Sequence, residues 1–126
     1  MSLPIVVRAF IFNPLGQILM TKHRENTPWV LPGGHGEKDE TIHTAILREI
    51  VEEFGISGKF FDIDNEETLY HNGKKLTHYP LPISIYELHY TNTEGKDKSR
   101  IEYIFLMETE DTIGKVQTSE IAEYKW

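Results

Sequence analysis

The sequence predicts an α/β fold, strands built around a motif-bearing helix, and three observations carry that expectation. Residues 4–12, 83–90 and 100–108 are rich in Ile, Val, Phe and Tyr and have the length of strands. Ile46, Leu47, Ile50, Val51 and Phe54 recur at helical spacing and make one apolar stripe. At 126 residues the chain is long enough to bury one core and too short for two, so residues 1–126 read as one domain.

The elements follow in order. Residues 4–12 make the first strand, Asn13, Pro14, Leu15 and Gly16 a turn, and residues 17–22 resume an extended pattern, so the chain opens as a hairpin. A loop over 23–28 leads to a short strand at 29–31 and then to a loop at Gly33 and Gly34, where paired glycines let the backbone approach a ligand closely. The helix follows, opened by Asp39 as its N-cap and closed by Gly55 as a left-handed cap. Short strands are expected over 59–63 and 66–71, with a turn at Asn72-Gly73. Strands over 83–90 and 100–108 flank a polar hairpin tip at 91–99, and residues 121–126 form a last strand.

The helix carries chemistry on a second face. Glu49, Glu52 and Glu53 stand at i, i+3 and i+4 and so share an arc of roughly 100°. Like charges at that spacing repel by a few tenths of a kcal/mol per pair, roughly, so a cation is expected to offset them. Hard cations such as Mg²⁺ take oxygen ligands and are shared between protein carboxylates and substrate phosphates. Ala45, one turn before Glu49, is small enough to leave room for a hydrated ion. A solvated glutamate-rich surface is the competing reading of the same three residues, and the glycine pair just upstream weighs against it.

Residues 34–56 resemble the Nudix box, Gly-x5-Glu-x7-Arg-Glu-U-x-Glu-Glu-x-Gly-U with U a bulky aliphatic residue, and every fixed position is met. Seven fixed identities at ordinary residue frequencies make chance agreement on the order of 10⁻⁸ per start site. The resemblance extends to the leading Leu-Pro-Gly-Gly and to Ser119-Glu120-Ile121 followed by Trp126. Asp39 departs from the glycine that the family often has there.

The resemblance implies an α/β/α sandwich with a mixed sheet and a further helix after the final strand. The chain stops at Trp126, so that C-terminal helix is expected to be absent from it. It implies hydrolysis of a nucleoside diphosphate linked to another group, by water attack at phosphorus. A nucleoside triphosphate, oxidised or not, is the expected substrate, with ADP-ribose or another nucleotide sugar as the alternative. A catalytically silent nucleotide sensor and a ligand-free acidic scaffold are less favoured, because no box glutamate is lost.

By the same resemblance, Mg²⁺ or Mn²⁺ is held by Glu49, Glu52, Glu53 and the carbonyl of Gly33. Arg48 orients the catalytic glutamate, Glu49 or Glu53, and Glu40 supports Arg48 from the helix start. The general base is a box glutamate or a distal one, with Glu120 the leading distal candidate and Glu110 and Glu94 behind it. Lys22, His23 and Arg24 form the basic cluster nearest the expected site, so Lys22 and Arg24, with Gly34, are expected substrate contacts. His35 reads as a loop residue, not a ligand, and Tyr79, Tyr86 and Tyr103 as core aromatics before stacking partners for a base.

Composition bounds the partners. A net charge of -7 repels a nucleic-acid backbone, so polymeric DNA or RNA is not an expected partner, whereas a small polyphosphate is compatible once a divalent ion reverses the local sign. With no cysteine, disulfides and thiolate metal sites are excluded. No run approaches 18 apolar residues and the N-terminus lacks a secretory pattern, so a cytoplasmic protein without membrane contact is expected. A homodimer is an expectation of the family resemblance alone.

Overall fold

The structure, a computed structural model, describes residues 3–61 and 68–126. Its strands and helix run β1 (Ile5–Phe12), β2 (Met20–Lys22), β3 (Gly33–His35), α1 (Ile42–Phe54), β4 (Lys59–Phe60), β5 (Thr68–His71), β6 (Lys74–Thr77), β7 (Ser84–Thr91), β8 (Asp97–Glu108) and β9 (Glu123–Lys125).

The main sheet is mixed. Central β1 runs parallel to β8, with Val7 opposite Tyr103 and Phe12 opposite Glu108, and antiparallel to β3 on its other edge. The long β8 offers its far edge to β7 along one half and to β4 at Met107 and Glu108. Strands β2 and β9 form a separate antiparallel pair, and β5 and β6 a hairpin that turns at Asn72 and Gly73.

Alternation along β1 explains the layers. Val7, Ala9 and Ile11 are wholly buried on one face and meet Phe105 and Met107 of β8. Ala45, Ile46, Ile50 and Phe54 of α1 close that core, each large side chain contributing about 2 kcal/mol through burial. Val6, Arg8 and Phe10 point to the opposite face, which carries the polar groups described below.

Several expectations need correcting. The opening hairpin exists only next to its turn, through the Phe12–Ile18 bridge and the Leu19 amide on Ile11. Beyond it β2 leaves β1 and pairs with β9, a partner about a hundred residues away that no local pattern reveals. Residues 29–31 make one bridge, Thr21 to Val30, while Gly33 and Gly34, expected as loop, are edge strand β3. Asp39 does not cap the helix: it sits at φ 66°, and Thr41 is the N-cap, accepting from the Thr44 amide at 3.0 Å. Gly55 is the left-handed cap, at φ 65° and ψ 29°, with its N–H on Val51.

Val51 is exposed rather than part of the stripe, and Ala45 is in the core rather than beside an ion. Strand β6 was not foreseen, and β8 begins three residues before the expected position, shortening the tip to residues 92–96. Parts of the strands expected over 59–63 and 66–71 lie outside the described residues. Among the described residues α1 is the one α-helix, and no helix is long and apolar enough to cross a membrane.

Candidate active site

Strand β3 sets the geometry. The Ala9 amide donates to Pro32 and the Gly36 amide to Ile5, which fixes the alternation and leaves Arg8 opposite Gly33 as a pair without mutual hydrogen bonds. The N–H and C=O of Gly33 therefore face away from β1, toward the helix. The N–H donates to Glu53 Oε1 at 3.2 Å, and the carbonyl lies on the same edge.

The two glycines serve different ends: the backbone requires the first, and the second leaves room for a side chain. Gly33 has φ +148°, and a Cβ there would fall 1.9 Å from the Val7 carbonyl oxygen. A Cβ on Gly34 would lie 2.6 Å from the Glu49 carboxylate. The diglycine is thus the space into which two helix carboxylates reach.

Glu53 is 3% exposed, and the Gly33 amide is its hydrogen-bond partner among the described residues. Burial, reinforced by the neighbouring Glu49 charge, pushes its carboxyl up to about 8, while the Gly33 bond and Arg8 pull the other way. Burial raises Glu49 as well; Arg48 opposes that rise and Glu52 and Glu120 add to it. Burial therefore outweighs the nearby arginines at both carboxyls.

Arg48 organises the rim. Its Nη2 donates to Glu40 Oε1 at 2.8 Å and to the His35 carbonyl at 3.0 Å, and its Nε to Glu40 Oε2 at 3.1 Å. Its Nη1 donates to both Glu49 and Glu52 at 3.1 Å. Glu40 in turn accepts from the Glu37 amide, and the Arg48 and Glu37 hydrogen bonds hold its carboxyl below the ordinary range. Glu40 therefore fixes Arg48, and Arg48 fixes two carboxylates.

The C-terminal segment brings Glu120 to the same place. The Gln117 and Gly114 amides donate to the Glu53 and Phe54 carbonyls, two of the groups a helix end leaves unsatisfied. The Ala122 amide donates to Lys22, and His23 Nδ1 lies 3.0 Å from the Glu120 carbonyl. Glu120 is thereby fastened along an open cleft of about 570 Å³ shared with Glu49, Glu52 and Glu53.

Not all the expected groups meet. Among the described residues, no three acidic or histidine side chains already close around one point, and Arg48 stands between Glu49 and Glu52. Glu52 is half exposed at the rim, where Arg48 holds it. Lys22 and Arg24 do not line the cleft. Lys22 follows the buried Thr21 and faces away, over the Trp29 ring at 5.0 Å and 3.7 Å from Glu123. Arg24 belongs to an exposed turn closed by Thr27.

The cationic groups in the cleft beside Arg48 are Arg8 and Arg100, which sequence reasoning missed. They come from β1 and β8, and only the sheet register brings them together. Glu110 and Glu94 also lie elsewhere, on the surface and at the β7–β8 tip. Tyr86 is no core aromatic: it is exposed, and its hydroxyl donates to Glu102.

The donors fit a hard divalent ion. They are carboxylate and carbonyl oxygens, and burial disfavours the ionised form of Glu53, which such an ion would stabilise.

Comparison with known proteins shows the family. A NUDIX domain profile matches residues 2–126, and the chain belongs to the NUDIX family, whose hydrolases act on small nucleotides and generally use a divalent metal. A MutT-like protein from Streptomyces ambofaciens is 39% identical over 52 residues, 41% of this chain and 34% of that protein. The match thus spans about a third of that relative's length.

Among solved structures, a NUDIX family hydrolase from Clostridium perfringens superposes with a TM-score of 0.73 at 21% identity, covering 100% of this chain and 81% of that one. A UDP-X diphosphatase gives a TM-score of 0.63 at 22% identity over 99% of this chain and 50% of the other. At these identities the likeness is one of fold.

Proposed function

We propose that this chain hydrolyses the pyrophosphate bond of a nucleoside diphosphate linked to another group, using Mg²⁺ or Mn²⁺, with a nucleoside triphosphate, oxidised or not, as the favoured substrate. The observation that carries the reading is the buried Glu53 carboxyl beside Glu49, at the edge of an open cleft that Arg8 and Arg100 also line. Glu49, Glu52, Glu53 and the Gly33 carbonyl would hold the ion. When bound, it neutralises charge on phosphate oxygens and makes water a stronger acid.

The chain's own residues do the rest. Arg48, locked by Glu40, orients Glu49 and restrains Glu52. Glu120 accepts the proton of the attacking water at its carboxylate, a role that suits an exposed acid on the open side of the cleft. Arg8 and Arg100 receive the phosphates in place of Lys22 and Arg24. Gly34 leaves the space that Glu49 and the substrate share.

A nucleotide sugar such as ADP-ribose is the second reading. It is favoured by a groove of about 550 Å³ next to the cleft, which has room for a group beyond the diphosphate. Thermal unfolding with Mg²⁺ and a nonhydrolysable nucleotide tests the site itself: a raised Tm supports it, and no shift with any nucleotide points to a scaffold. A raised Tm without turnover points to a sensor.

A further inference from the structure

The face of the sheet opposite the helix holds a polar cluster that the metal chemistry does not use. Glu102 of β8 stands directly opposite Val6 of β1 and Tyr86 of β7, so all three share that face with Arg8 and Arg100. Its side chain is 3% exposed. Oε1 accepts from Arg8 Nε at 3.2 Å and from the Tyr86 hydroxyl at 2.7 Å, and Oε2 accepts from Arg100 Nε at 2.7 Å.

Burial alone drives the Glu102 carboxyl up; the Tyr86 and Arg100 hydrogen bonds and the two arginine charges outweigh it and keep the group ionised. The cluster is therefore a saturated, charged joint between three strands. Both arginines are gripped by Nε, at the side of the guanidinium. Arg8 Nη1 is further tied to the Leu31 carbonyl at 2.9 Å. Among the described residues, Arg8 Nη2 and both Nη groups of Arg100 have no hydrogen-bond partner.

The two residues stand where two cavities meet, Arg100 with its guanidinium 5.3 Å from the Tyr90 ring centre. Arg8 and Arg100 line the acidic cleft, and the same pair lines the sheet-face groove with Trp29, Met20 and Leu88. A planar guanidinium fixed at Nε presents its remaining donors as a rigid fork, the geometry that suits a phosphate.

We propose that Glu102 is a positioning residue: it holds Arg8 and Arg100 as a two-guanidinium clasp for a substrate phosphate at the border between the acidic cleft and the groove. This deepens the proposed function and rests on it, since the phosphate is that of the pyrophosphate substrate. Charge and positioning make opposite predictions for Glu102→Gln. Losing a buried negative charge makes the region more positive, so an electrostatic role alone predicts tighter phosphate binding. Loss of the clasp predicts weaker binding, because a neutral amide cannot accept from both Nε groups and Tyr86 as a carboxylate does.

The test measures the Kd of inorganic pyrophosphate with Mg²⁺ and, separately, the Kd of Mn²⁺ alone, on the full chain. The clasp predicts Mn²⁺ binding within twofold of wild type in Glu102→Gln and pyrophosphate binding weakened at least tenfold. Arg100→Lys, which keeps the charge but loses the fork, is expected to weaken pyrophosphate binding similarly, and it supplies the result where Glu102→Gln does not fold. Equal or tighter pyrophosphate binding in either folded variant overturns the clasp. Absence of Mn²⁺ binding in wild type overturns the metal reading instead, so the two failures are distinguishable.

Discussion

Glu53 shows how one side chain couples folding to the site's chemistry. Its carboxyl is raised from 4.5 to about 8, so between those values the folded protein keeps a proton that the unfolded chain has released. Without metal, this group's contribution to stability is therefore fully present below about pH 4.5 and is lost as pH rises to about 8. Tm measured with EDTA should fall over that window more steeply in wild type than in Glu53→Gln. Since an ion binds the deprotonated form, the Tm gain from added Mg²⁺ should grow with pH over the same range. An identical pH profile in both proteins would refute this assignment.

Gly34→Ala gives a second prediction at this scale, because its Cβ would press on the Glu49 carboxylate at the end of a side chain rather than on backbone. The variant should fold with little loss of Tm and lose about 10- to 100-fold in kcat. The carboxylates were legible in the sequence because i, i+3, i+4 spacing is a local property of a helix. Arg8 and Arg100 were not, since 92 residues separate them and only the parallel pairing of β1 with β8 makes them neighbours.

At the scale of elements, the helix and its neighbours behave as a single clamp. Thr41 and Gly55 set its ends, and the amides of Gly114 and Gln117 satisfy its last carbonyls. Strand β3 is stitched to β1 on one edge and to Glu53 on the other, so Gly33 serves two elements at once. Gly33→Ala should consequently damage folding itself, costing more than about 1 kcal/mol, since both its positive φ and the Val7 carbonyl forbid a Cβ. Chemical denaturation measures it, and a Cm equal to wild type would contradict the account.

Local signals at the two helix ends had unequal force. Gly55 was readable because a left-handed cap nearly demands glycine, whereas Asp39 and Thr41 are both acceptable caps and only the observed Thr41–Thr44 bond separates them. The strand character of Gly33 to His35 was illegible because two glycines carry no side-chain pattern. Arg48→Lys tests the clamp. A lysine cannot bond Glu40, His35, Glu49 and Glu52 together, so kcat should fall about 10- to 100-fold while the fold persists.

At the scale of the whole molecule, topology assembles what no single segment contains. The metal-ligand candidates come from α1 and β3, the phosphate-binding candidates from β1 and β8, and Glu120 from the segment that leads to β9. The box helix was legible from its spacing, and the mixed sheet only from the resemblance that the box carries. The β2–β9 pair that fastens Glu120 was not, because its partners lie about a hundred residues apart. Glu120→Gln should lower kcat at least tenfold and leave Mn²⁺ affinity within severalfold; an unchanged kcat removes Glu120 as the base.

The most direct measurement of the central claim is phosphate or nucleoside monophosphate release from a panel of nucleoside triphosphates and nucleotide sugars, with and without Mg²⁺, for wild type and Glu53→Gln side by side. The account predicts Mg²⁺-dependent turnover of at least one compound by wild type and a loss of about 100-fold or more in the variant. Equal rates in the two proteins, or turnover indifferent to Mg²⁺, would contradict it.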